Sequence, residues 1–333
     1  MTATDETLSV VSALDAATPR PRWQVILIRP ETMTFVLLIL GFIIASRLSP
    51  YFLDARYILG SFTLSAEFAL VALVLTMVII SGEIDLSAAA TMALSACLFA
   101  YALQFGLPFW IAVIVCLGSG LLMGALNGVL VIGFQLPSII VTIGTLTLYR
   151  GIAQVIAGDK SIRLPGWYIG VDNILMAGLP APVVIFGVLT IALGLFLGTT
   201  IYGRQIYQIG TNEIAARHAG IRTRAIKMAL FLAMGFVSAV AGMIFTSRLG
   251  SVRYDLGLGG ELQMVLMAML GGTYIFGGRG SILGTFLAAW LLSVIATGMN
   301  TANLLPATQL CVLGVLLIVS IIATNLIYSR TQR

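Results

Sequence analysis

Ten long, nearly uninterrupted apolar runs dominate this chain, at about 32–48, 62–81, 86–104, 109–132, 137–156, 181–202, 228–246, 259–276, 281–299 and 307–328. A helix needs about 20 apolar residues to cross a hydrocarbon core roughly 30 Å thick. The runs therefore predict an all-α, polytopic helical membrane protein, with about ten transmembrane segments within residues 31–328. A transmembrane barrel is excluded because its strands alternate apolar and polar residues. Hydrophobic residues make up 59% of the chain and charged residues only 9%, against about 45–50% and about 25% in soluble domains. Too few charges remain to clothe a soluble enzyme of this size, and such a chain is far too apolar to be disordered. The runs at 86–104 and 259–276 are short or Gly-rich, which marks both as candidates for broken or re-entrant segments.

Residues 1–30 are polar and read as a cytoplasmic N-terminal tail rather than a signal peptide, since Arg47 closes the first apolar run with no small-residue cleavage site after it. Pro30 and Glu31 stand where the first helix is expected to start. Lys and Arg collect in cytoplasmic loops, so the net charge of +5 is the signature of a membrane protein and not of nucleic-acid binding. With both termini inside, the cytoplasmic segments carry Arg20, Arg22, Arg29, Arg204, Arg217, Arg222, Arg224, Lys227, Arg279, Arg330 and Arg333. The outside then keeps Arg47, Arg56, Arg150, Lys160, Arg163, Arg248 and Arg253. This asymmetry favours N-in/C-in, with residues 329–333 as a cytoplasmic C-terminal tail. Cys97, Cys116 and Cys311 fall inside apolar runs without pairing or metal spacing and are expected to be buried as small hydrophobes.

The longest basic stretch between runs lies at 203–227. Thr211 or Asn212 can cap a short helix there, Glu213 suits its positive end, and Gly220 can supply a left-handed stop. Thr223 can cap the helix that follows. The pattern predicts a short helix lying across the cytoplasmic end of the bundle, either as an ordinary positive-inside loop or as a docking element for a cytoplasmic partner. His218, the lone histidine, cannot form a metal site by itself and is expected at the surface.

The stretch SGEIDLS at 81–87 places Glu83 and Asp85 two residues apart at a membrane edge. Paired carboxylates can serve acid–base chemistry or proton coupling, but a loop in which Asp85 or Ser87 caps the next helix explains the pattern more simply. Gly120, Gly124 and Gly128 recur every four residues and read as a close-packing helix face, beside which Asn127 needs an interhelical partner. In the fifth run, Ser138, Thr142, Thr145 and Thr147 either bond their own helix or line a polar route, and Arg150, near the outer end, is expected to snorkel into the headgroups. The Gly-rich stretch at 270–285 lacks the Gly-Lys-Ser/Thr of a phosphate loop and predicts a sharp reversal with close helix approach. Walker, HExxH and CxxC patterns are missing, and one histidine allows no Ser/His/Asp set.

These motifs, in this order, resemble the ribose-type sugar permeases of bacterial ABC importers, the branch that includes arabinose, xylose, rhamnose and autoinducer-2 permeases. SGEIDLS is similar to that family's SGGIDLS, with Glu83 where Gly is usual. Asn127-Gly128, LPSIIVTIGT at 136–145 and Arg150-Gly151 match its NG…PSFIVTLGT…RG run. IGTNEIAAR at 209–217, followed by Gly220 and Ile221, resembles its cytoplasmic EAA-like loop, although Ile214 stands where Glu is frequent and Glu213 lies one place earlier. SRLG at 247–250, LGG at 270–272 and GGRGSILGT at 277–285 match its C-terminal signature. Glu83, SPYFLD at 49–54 and YIFGG at 274–278 are closer to rhamnose and autoinducer-2 permeases than to ribose ones.

The resemblance implies a multi-pass permease of the bacterial inner membrane. Two permease chains, alike or different, would surround a central route. A separate ABC ATPase, carrying the ATP and Mg, would dock near 203–227, and a periplasmic binding protein would deliver a small sugar or sugar-like solute. This chain would then be a transport subunit, not an enzyme, with no bound cofactor or metal. Gly210, Glu213, Ala216, Arg217 and Gly220 are the residues expected to couple it to the ATPase; Asn127, Ser138, Thr142 and Thr145 are expected on the translocation route; and Glu83, Asp85 and Ser87 form the family-motif loop. The alternative is an ion-coupled secondary transporter of a small polar solute, for which Glu67 and Glu261 are the available acids.

Overall fold

A computed structural model describes residues 30–48, 50–158, 160–170, 174–176 and 178–331. Most of the N-terminal tail, with Arg20, Arg22 and Arg29, lies outside the described residues, as do positions 332–333. Each of the ten apolar runs contains a helix. These are α1 (Pro30–Leu48), α2 (Ala55–Thr63) continuing into α3 (Ala66–Ile80), α4 (Ala88–Gln104), α5 (Phe109–Gly128), α6 (Ser138–Ala157), α7 (Ala181–Thr199), α10 (Thr223–Leu249), α11 (Gly260–Leu270), α12 (Ile282–Thr301) and α13 (Pro306–Thr331). Between α7 and α10 come α8 (Ile201–Thr211) and the short α9 (Glu213–His218).

Among the described residues, five helices are long and apolar enough to cross a bilayer alone: α5 with its extension to Gly133, α6, α7, α10 and α12. The pair α2–α3 is a sixth candidate, bent by 66° at its break. The helices of the two runs expected to be irregular are among the shorter apolar helices. α4 has 17 residues, and α11 has 11, or roughly 16 Å of helix. Gly259 at φ 81° and Gly272 at φ 86° bracket α11, so backbone reversals limit its length.

α3 is the centre of the bundle. All of its residues except Phe68 are buried, as expected for a helix that is apolar all round. α7, α10, α11 and α12 pack around it. α5 crosses α10 at the small-residue face expected from the sequence. A Cβ at Gly120 would overlap the Gly235 carbonyl oxygen, and one at Gly124 would overlap that of Phe231. Outward-facing α1, α7 and α13 expose Phe35, Ile44, Val188, Ile191, Val315 and Ile318; this is an apolar belt suited to lipid. Cys97 and Cys116 are buried as expected, but Cys311 is exposed on α13 because that helix turns this face outward.

The ends of the bundle are marked by ions. At one end Arg248, near the C-terminus of α10, pairs with Glu67 at the start of α3, Nε to Oε1 at 3.1 Å. At the other end Lys227, near the N-terminus of α10, pairs with Glu83 just beyond α3 at 2.6 Å. About six turns of α10, roughly 32 Å, separate the two cations. At the Glu67 end, β1 (Ile162–Arg163) pairs antiparallel with β4 (Ser251–Val252), while β2 (Leu175–Met176) and β3 (Leu179–Pro180) form a separate hairpin. Arg150 differs from expectation. Instead of snorkelling outward it is half-buried, and its Nη1 donates to the carbonyls of Tyr254 and Leu256 at 3.0 and 2.6 Å. The unpaired carbonyls of that turn offer the guanidinium closer acceptors than the headgroups do.

Candidate functional site

The end of the bundle that carries Lys227 brings together three loops far apart in sequence. Gly82, Gly277 and Gly278 have φ of 88°, 85° and 75°, which glycine adopts without steric cost. The Gly278 amide donates to the Ile80 carbonyl at 2.8 Å. Gly210, at the end of α8, sits on this bond; a Cβ there would collide with both the Ile80 oxygen and the Gly278 nitrogen. The Tyr207 hydroxyl donates to the Gly280 carbonyl at 2.8 Å, tying α8 to the same turn.

α9 forms as the sequence predicts. Asn212, rather than Thr211, is its cap, its Oδ1 accepting from the Ala215 amide at 2.9 Å. Thr211 instead donates to the Tyr207 carbonyl. Gly220 has φ 83°. Its amide bonds Arg217 O and that of Ile221 bonds Ala216 O, both at 3.1 Å, so the helix ends in a Schellman motif. Thr223 is not the cap expected for α10; Arg222 precedes that helix, without a side-chain cap, and Thr223 lies buried in its first turn. Ala216 is buried, whereas Ile214, Arg217 and His218 are exposed.

Four charges fasten α9 to the bundle. The Arg217 guanidinium donates to Glu213 Oε1 at 2.8 Å. Lys227 Nζ donates to Glu213 Oε2 at 2.5 Å and to Glu83 Oε1 at 2.6 Å. The Lys227 side chain is 8% exposed and that of Glu83 14%. Two acids and two bases leave the ladder neutral, as partial burial requires. Burial pushes the Glu213 carboxyl up, but the hydrogen bonds and charges of Lys227 and Arg217 outweigh it and hold the group below the ordinary glutamate value. Sequence reasoning counted Lys227 only as a loop cation. A lysine one turn into an apolar helix was the available signal.

From Glu83 the chain enters a buried polar network. Asp85 Oδ1 accepts from the Ser87 amide at 2.8 Å and from the Ser87 hydroxyl at 2.7 Å. Ser87 holds the cap position of α4, but its hydroxyl serves Asp85 and makes no cap hydrogen bond. Asn127 Nδ2 donates to Ser87 Oγ at 2.7 Å, and Asn127 Oδ1 accepts from the Tyr149 hydroxyl at 3.1 Å. Burial raises the Asp85 carboxyl, with the Ser87 and Asn127 hydrogen bonds opposing it. The Ile84 amide donates to Ser138 Oγ at 3.1 Å, and Thr142 Oγ1 donates to the Ile84 carbonyl at 3.3 Å. Thus Asn127, Ser138 and Thr142 all bear on the 81–87 loop, while Thr145 is buried one turn further along α6 and bonds within its own helix. A cavity of about 400 Å³ opens beneath α9, walled by Glu83, Gln135, Glu213, Ile214, Arg217 and Lys227 among others.

The family model described as branched-chain amino acid transport system / permease component matches residues 57–321. The chain belongs to this family. It is 34% identical over 307 residues to the autoinducer 2 import system permease protein LsrD of Enterobacter sp. (strain 638), covering 90% of this chain and 94% of that protein. It is 30% identical over 300 residues to the ribose import permease protein RbsC of Haemophilus influenzae, covering 89% and 93%. Against LsrD of Escherichia coli (strain K12) the identity is 31% over 309 residues, covering 91% and 94%. No solved structure gives a match. The family and its fold therefore agree with the resemblance read from the motifs, and the chain is a polytopic helical permease component.

Proposed function

We propose that this chain is the membrane-spanning subunit of an ABC importer of the bacterial inner membrane, moving a small sugar or sugar-like solute delivered by a periplasmic binding protein. The solute chemistry follows from its relatives, which import autoinducer 2 or ribose. The observation that carries the reading is α9, a capped helix with exposed Ile214 and Arg217, fastened by Lys227 to the loop at 81–87. A helix so fixed can pass a push from a docked ATPase into the bundle, whereas a loose loop would absorb it.

Ten spans with both termini inside are part of the proposal. That topology assigns the loops at 81–87, 203–227 and 270–281 to one side of the membrane. Their junction through Gly210, Ile80 and Gly278 supports it. ATP and Mg then belong to the partner ATPase, and a second permease chain completes the route. Ion coupling would need a carboxylate free to exchange its cation. Glu67 is held by Arg248 through both oxygens, at 3.1 and 3.3 Å. This leaves Glu261, whose Oε2 is buried without a hydrogen-bond partner among the described residues, as the acid that reading would use.

The test is mild-detergent purification of the tagged chain from native membranes, followed by uptake of ribose and autoinducer 2 in vesicles. Co-purification of a nucleotide-binding subunit with ATP-dependent uptake is expected. A chain that is isolated alone and transports without ATP, with uptake abolished by Glu67→Gln or Glu261→Gln, would replace this reading with ion coupling.

A further inference from the structure

We infer that Lys227 is the positioning residue that joins the ATPase-facing helix to the moving part of the bundle. This rests on the importer reading above, but identifies the contact through which force would pass. α9 is six residues long, and Ala216 is its buried residue. Lys227 reaches from α10 to Glu213 on α9 and to Glu83 on the 82–87 loop at the same time. Both ion pairs run to segments other than the helix that carries Lys227.

The loop that Glu83 begins is held on its far side as well. Ser138 and Thr142 bracket Ile84 from α6. Asp85 and Ser87 engage Asn127 of α5, which engages Tyr149 of α6. Polar contacts therefore run from the exposed Arg217 through Glu213 and Lys227 to Glu83, and the loop backbone that follows Glu83 continues the connection to Ser138 and Thr142 of α6 and Asn127 of α5. Its middle link is a largely buried ammonium between two carboxylates, where the local field is strong and each bond resists stretching. Displacement of α9 pulls on Glu83 through Lys227, and the loop carries the pull to α5 and α6. With Lys227 removed, α9 keeps its cap, its Schellman stop and its Arg217 pair, but loses its ionic tie to the loop. Helix and ATPase contact survive while transmission fails.

The experiment uses the native complex, purified with its ATPase and binding protein and placed in proteoliposomes. ATP hydrolysis is measured beside uptake of labelled ribose and autoinducer 2. In Lys227→Met, co-purified ATPase and hydrolysis rate should stay within about twofold of native, while solute moved per ATP falls at least tenfold. Lys227→Arg, which keeps the charge, should recover to within about threefold. Glu83→Gln should show the same split, and Glu83→Gln/Lys227→Met should be no worse than either single change, since both cut one link. If Lys227→Met fails to assemble, Glu83→Gln and Lys227→Arg still decide the matter. A native transport ratio in Lys227→Met or Glu83→Gln overturns the proposal, and so do losses that multiply in the double variant. Loss of the ATPase from both single variants also overturns it, by reducing the ladder to an assembly contact. ATP-independent uptake by the unmutated complex removes the importer reading itself, and this inference with it, before any variant is compared.

Discussion

Gly120 and Gly235 touch backbone to backbone: a Cβ on either would overlap the other's carbonyl oxygen. Neither position has room for any side chain, so the α5–α10 crossing is set by main-chain contact. Gly235→Leu should destabilise the protein by about 1–3 kcal/mol or more, the usual penalty for overpacking. Thermal unfolding in detergent would show it as a lowered midpoint. Gly144→Leu, where a Cβ meets nothing within 4 Å of its own chain, is the control and should leave the isolated chain's stability unchanged.

Arg248 neutralises Glu67, which is fully buried. Arg248→Met leaves that carboxylate without its cation and should cost about 3–5 kcal/mol. Glu67→Leu/Arg248→Met removes both charges and should regain most of the loss. An Arg248→Met protein as stable as the native one would show that the pair adds nothing to the fold.

Gly210 and Gly220 should fail for different reasons. Gly210→Ala drives a Cβ into the Ile80–Gly278 hydrogen bond, so solute uptake by the assembled transporter should fall by about tenfold or more, a barrier change of about 1.4 kcal/mol per decade. Gly220→Ala meets nothing in space, and its cost is the φ of 83°, about 1–2 kcal/mol in the last turn of α9. Uptake assays at graded temperature separate the two, since the Gly220 variant should recover on cooling and the Gly210 variant should not.

Much of this was legible in the sequence. Apolar length located the helices, and local backbone chemistry gave the Gly220 stop and narrowed the cap to Thr211 or Asn212, of which the fold uses Asn212. The four-residue glycine spacing gave the α5 packing face. What sequence could not give was pairing between distant segments. Nothing in the local pattern says that Lys227 meets Glu83, or that Gly210 lies on the Ile80–Gly278 bond; such contacts are set by how helices cross. For the same reason the sequence left Ser138 and Thr142 between bonding their own helix and lining a route, and could not show that their hydroxyls meet the backbone of Ile84.

Asn127 is 1% exposed and links Ser87 to Tyr149. Asn127→Leu removes the donor to the Ser87 hydroxyl and one of two acceptors of the Tyr149 hydroxyl, which keeps the Met123 carbonyl at 3.0 Å while Ser87 keeps Asp85. The cost should therefore be that of the lost hydrogen bonds, about 0.5–1.5 kcal/mol each. Asn127→Asp, similar in shape but adding a charge beside buried Asp85, should be worse than Leu in thermal unfolding at neutral pH.

Glu213 predicts a pH dependence. Its carboxyl is held below the ordinary value of about 4.3 by Lys227 and Arg217. The stabilisation is therefore complete above that value and fades as pH falls through the lowered one. Unfolding midpoints measured from pH 7 downward should converge between native and Glu213→Gln only in that acidic window. Curves that stay parallel throughout would mean that the carboxylate adds nothing to the attachment of α9.

The two cations of α10 stand about six turns apart, roughly 32 Å, close to the thickness of a bilayer's hydrocarbon core. Each is fixed by an acid on or next to α3, so neither can slide along the helix to suit its surroundings. The protein thus carries a ruler of set length. In a membrane of different thickness the helix must tilt, or the lipid must stretch or thin around it. Such a tilt would load the Lys227 end of the ruler, where α9 is attached.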